Sequence, residues 1–112
     1  MAENKLLKLA EKKQWKKISK LAGSKNIETV CQAAEACGTG RSEEPYNILV
    51  NLLNSKEDSV KLAAIQGLGA LRYDISSQMT RLHWLAERIP DDKEELKKAV
   101  SESLLTLKEA KK

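Results

Sequence analysis

The sequence predicts an all-α protein, and three observations lead there. No segment alternates β-branched with polar residues in the manner of a half-buried strand. Phe is absent and aromatics make up 4% of the 112 residues, so the apolar content is mostly Leu, Ala, Ile and Val, which suits interdigitating helices. One helical pattern recurs along the chain, as it does in stacked helical hairpins and not in a globule built round a catalytic pocket.

The pattern is clearest in residues 58–71. At about 100° per residue, Val60, Ala63, Ala64, Gly67, Leu68 and Leu71 share one broad arc. Most of these side chains are small or short, so a neighbouring helix can come close. Shifted back by 31 residues, Ala64, Gly67, Leu68 and Gly69 fall on Ala33, Ala36, Cys37 and Gly38, and in the preceding helix Leu49, Leu52 and Leu53 fall on Ile18, Leu21 and Ala22. Shifted forward by 36, Val60, Ala63, Ala64, Gly67, Leu68 and Leu71 meet Leu96, Ala99, Val100, Ser103, Leu104 and Leu107. Three hairpins follow, over residues 14–38, 43–72 and 76–110.

Taken in order, Leu6, Leu7 and Ala10 form a short stripe out of phase with Trp15, Ile18 and Leu21. They predict a separate helix over 3–12, covering the open end of the first hairpin, the competing reading being one continuous helix over 3–22. Gly23 to Asn26 ends the helix 14–22, and Gly38 to Ser42 separates the helix 27–38 from the helix 43–54. Ser42 reads as the N-cap of that helix, with Glu43, Glu44 and Pro45 in its first turn. Asp58 reads as the cap of the helix 58–72. After a connection over 72–76, a helix runs over 76–89, and Asp92 with Glu95 has the form of a capping box for the helix 92–110. A chain this short makes one domain, 1–112.

The run Asp58-x-Val60-Lys61-x-Ala63-Ala64-x-x-Gly67-Leu68-Gly69 resembles the second helix of a HEAT repeat, in particular of the short bacterial HEAT-like repeats of the PBS-lyase type. The spacing here is shorter than the about 40–47 residues of HEAT repeats, but the tetratricopeptide and ankyrin patterns are absent. The resemblance implies an armadillo-type right-handed α-α superhelix, a solenoid of three helical hairpins plus the N-terminal capping helix, whose second helices line a concave surface.

Chemistry-bearing residues are sparse. His83 is the only histidine and sits on the flank of its helix, with no Ser-His-Asp or Cys-His pairing in view. Cys31 and Cys37 stand six residues apart on one helix, beyond disulfide reach, and read as reduced thiols of a cytoplasmic protein. No metal site, cofactor or catalytic residue is expected, and the chain reads as a non-enzyme. Gly38-Thr39-Gly40-Arg41-Ser42 and the Asp91 to Glu95 cluster read as helix punctuation, not as anion or calcium loops. No apolar run is long enough to span a bilayer.

Two binding surfaces remain. On the wheel of helix 58–72, Leu62, Ile65 and Gly69 point outward, matched by Cys31, Ala34 and Gly38 before and by Lys98, Ser101 and Leu105 after. Trp84 lies about 150° from the centre of its own helix's apolar stripe. Leu62, Ile65, Leu105 and Trp84 are therefore the expected contacts with an apolar peptide or helix of a protein partner, or with a second copy of the chain. Leu62→Lys or Ile65→Lys should then abolish binding and leave helical content intact. The alternative is nucleic acid, held by the lysine-rich start. Residues 1–25 carry eight lysines against Glu3 and Glu11, within a chain of net charge +4. Lys12, Lys13, Lys16, Lys17 and Lys20 are the expected contacts for that reading.

Overall fold

The computed structural model describes residues 4–111, which form seven helices and no strand. These are α1 (Leu6–Glu11), α2 (Trp15–Ala22), α3 (Ile27–Cys37), α4 (Glu43–Leu52), α5 (Asp58–Ala70), α6 (Ile75–Ala86) and α7 (Glu94–Ala110). The expected start of the first helix at residue 3 lies outside the described residues. Every helix falls where the periodicity puts one, with ends moved by at most three residues in the described part.

The chain breaks between α1 and α2. Lys13 sits in the left-handed region at φ 58. Its N–H donates to the Ala10 carbonyl and the Gln14 N–H to the Leu9 carbonyl, both at 2.9 Å, the two bonds that close a helix end. Capping differs from the expectation at three helices. The Ser42 side chain makes no cap bond, Asp58 is the first residue of α5 and not its cap, and α7 starts at Glu94 after Lys93, so Asp92 and Glu95 form no capping box. Asp58 turns instead to Lys93 Nζ at 2.6 Å, tying the start of α5 to the turn before α7. The caps that form are Asn26, accepting from the Thr29 N–H, and Asp74, accepting from the Ser77 N–H, each at 3.2 Å.

α5 is the centre of the molecule. It packs against α3 on one side and α7 on the other, and also touches α4 and α6. A helix so placed must be apolar nearly all round. Val60, Ala64, Ile65, Gly67, Leu68 and Gly69 are all buried.

The two flanking junctions are built alike. Between α3 and α5, a Cβ on Gly38 would lie 3.2 Å from the Gly67 Cα. Between α5 and α7, a Cβ on Gly69 would lie 3.0 Å from the Ser103 Cα and 2.7 Å from its Cβ. Gly38 and Gly69 are equivalent in the sequence alignment, and so are Gly67 and Ser103. The same two positions therefore meet closely at both junctions.

Where α5 ends without a glycine, Gln78 closes it. Fully buried, its Nε2 donates to the Leu68 and Leu71 carbonyls at 2.8 and 2.7 Å. Its Oε1 accepts from the Tyr73 and Asp74 N–H groups at 3.2 and 3.0 Å. One side chain thus serves the last carbonyls of α5 and the approach to α6. No residue pattern announced this role.

Candidate functional site

The surface expected along the second helices does not form as an apolar strip. Ile65 is fully buried, and its carbonyl accepts a 3.0 Å bond from the Ser103 hydroxyl of α7. Ile65 is therefore packing, not a partner contact, and Ile65→Lys would bury a charge instead of testing a surface. Ala34, Gly38 and Gly69 are buried as well. The wheel located one buried face, but an internal second helix has two neighbours, and the second neighbour covers the positions read as outward. Leu62 is only half-covered and packs against the core. The open cleft between α3 and α5 presents Cys31, Leu62, Ala63 and Ala70, with the acids Glu28 and Glu35 along it. Leu105, at the position equivalent to Gly38 and Gly69, has no helix over it and is 59% exposed.

The first helices offer two grooves, one on each side of α4. α4 and α6 make no direct backbone approach, and a groove of about 420 Å³ lies between them. Trp84, 47% exposed, lines it with Tyr46, Thr80 and Arg81. The indole does not stand alone. The Arg88 guanidinium carbon, from the turn after α6, is 4.1 Å from the ring centroid and that of Arg81, one turn before Trp84 on α6, is 6.0 Å away. Tyr46 in turn meets Tyr73 at 5.7 Å between ring centroids. Sequence reading found Trp84 but missed its companions. Arg81 and Arg88 were legible as the residues three before and four after it, whereas Tyr46 comes from α4.

On the other side, α2 and α4 bound a groove of about 640 Å³. Lys13, Lys16 and Lys17 line it opposite Asn47 and Asn51. Lys12 and Lys20 are exposed near by but do not line it. None of the three ion pairs among the described residues involves any of these five lysines.

The remaining reactive groups are placed unremarkably. Burial pushes the Cys37 thiol up to about 12, so it stays protonated. Cys31 is free and partly exposed, its thiol donating to the Ser59 carbonyl at 3.6 Å. His83 is exposed on α6. Among the described residues no His, Cys, Asp and Glu side chains gather in a metal-holding group, and no helix is long and apolar enough to cross a membrane. No protein-family model, no curated protein and no solved structure matches this chain.

Proposed function

We propose that the chain is a non-catalytic, cytoplasmic protein-interaction module of the HEAT-like kind, three helical hairpins wound as a right-handed α-α superhelix behind a short covering helix. The repeated register supports this architecture, because equivalent positions make the close approach at the α3–α5 and α5–α7 junctions. The partner is a protein segment that docks an apolar side chain in the α4–α6 groove. A half-exposed Trp84 at that groove carries the reading. Trp, Tyr and Arg dominate the energetics of protein interfaces, and Trp84, Tyr46, Arg81 and Arg88 supply all three types in one place.

The test is retention of cellular proteins by the immobilised chain beside its Trp84→Ala variant. Loss of a hot-spot Trp costs about 2 kcal/mol or more, roughly a 30-fold weaker complex. Proteins held by the native chain should therefore elute from the variant, with circular dichroism unchanged. Equal retention by both chains would remove Trp84 from the proposal. A partner that is a second copy of the chain would show itself as a dimer in sedimentation that Trp84→Ala dissociates.

A further inference from the structure

We propose that the groove between α2 and α4 is a second, separate site, which binds nucleic acid through its phosphate backbone. Lys13, Lys16 and Lys17 bring three positive charges to one concavity, none of them in an ion pair among the described residues, with Glu44 the acid along it. Across the groove, Asn47 and Asn51 stand one turn apart on α4 and are exposed. Their amides donate hydrogen bonds of the kind that phosphate and sugar oxygens accept.

Two features favour a nucleic acid over an acidic peptide or an anionic membrane. The apolar side chains at the groove, Trp15 and Ile48, are 6% and 7% exposed, so they offer little surface to a peptide side chain or a lipid tail. A ligand held by charge alone must carry dense, regular charge, and a nucleic-acid backbone does. With no exposed aromatic ring among the lysines, bases have nothing to stack on. Binding is therefore indifferent to sequence and to whether the strand is paired.

Lys13 lines the groove from the left-handed position that closes α1, a backbone conformation that glycine occupies without strain.

Fluorescence anisotropy with a labelled short DNA duplex and an RNA strand, followed across salt concentrations, tests the proposal. Three phosphate contacts give a slope of log affinity against log salt of about −3. Lys16→Ala with Lys17→Ala should reduce that slope by about 2, and Lys108→Ala on α7 should leave it unchanged. Lys13→Gly should weaken binding while raising the melting temperature, which separates lost contact from lost fold. Absence of binding at low salt, equal loss on Lys108→Ala, or binding of polyglutamate or anionic vesicles as tight as that of the duplex would overturn it.

Discussion

Gln78 shows how much can rest on one side chain. Of the four groups its hydrogen bonds serve, only the Leu71 carbonyl has another partner, the Arg72 guanidinium, and an unmet buried polar group costs about 1–3 kcal/mol. Gln78→Leu should therefore lower the unfolding free energy by about 2–4 kcal/mol in urea denaturation. Lys13→Gly should act in the opposite direction, raising it by about 1 kcal/mol, because it relieves a left-handed backbone that costs a non-glycine residue about that much. Ile65 and Leu105 form a contrasting pair. A charge at the fully buried Ile65 should cost more than about 4 kcal/mol, most of the stability of a domain this size, and melt the helices. Leu105→Lys, at an exposed position, should leave the melting curve within about 0.5 kcal/mol of the native one. A thiol reagent should modify Cys31 readily and reach Cys37 only on unfolding, since burial holds the latter protonated.

At the scale of the element, the glycines of α5 set how near its neighbours come. Replacing Gly by Ala in a helix normally gains up to about 1 kcal/mol of propensity. At Gly69 that gain is outweighed, because the new Cβ would meet the Ser103 backbone at 3.0 Å, and overpacking of this kind costs about 1–3 kcal/mol. Gly69→Ala should destabilise the protein, and adding Ser103→Gly should restore part of the loss, a coupling that a double-mutant cycle reads directly. The ion pair at the start of α5 is weaker. The Lys93 hydrogen bond holds the Asp58 carboxyl below the usual range. Because the folded value is the lower one, this contribution is present above the unfolded carboxylate pKa of about 3.9 and is lost as pH falls through the lowered value. In an NMR titration Lys93→Ala should return Asp58 towards the ordinary range. Both partners are exposed, so the effect on global stability is small.

Across the whole molecule, what the sequence carries well is periodic, and what it carries badly depends on neighbours. The helices and the equivalence of Gly38 with Gly69 were legible because aliphatic residues repeat at helical spacing. The burial of Ile65 was not, since one wheel cannot say how many helices surround it. The Asp58–Lys93 pair, 35 residues apart in sequence, and the four bonds of Gln78 likewise appear only once the turns are placed. The candidate sites divide in the same way. Lys13, Lys16, Lys17 and Trp84 stood out by composition and phase, whereas the grooves they line arise from the spacing of α2, α4 and α6. The described chain fills about 33 × 32 × 25 Å with a radius of gyration of 13.0 Å, as compact as an ordinary domain of this length. α7 carries the exposed Leu105 at the position equivalent to Gly38 and Gly69, the glycines of the two close junctions.

The central claim is that α5 is held between α3 and α7 and is the last part of the chain to open. Residue-resolved amide hydrogen exchange tests it most directly. The amides of α5 from Ala64 to Leu68 should exchange only through global unfolding, and those of α1 should exchange far sooner by local opening. Exchange in α5 as fast as in α1 would contradict the account.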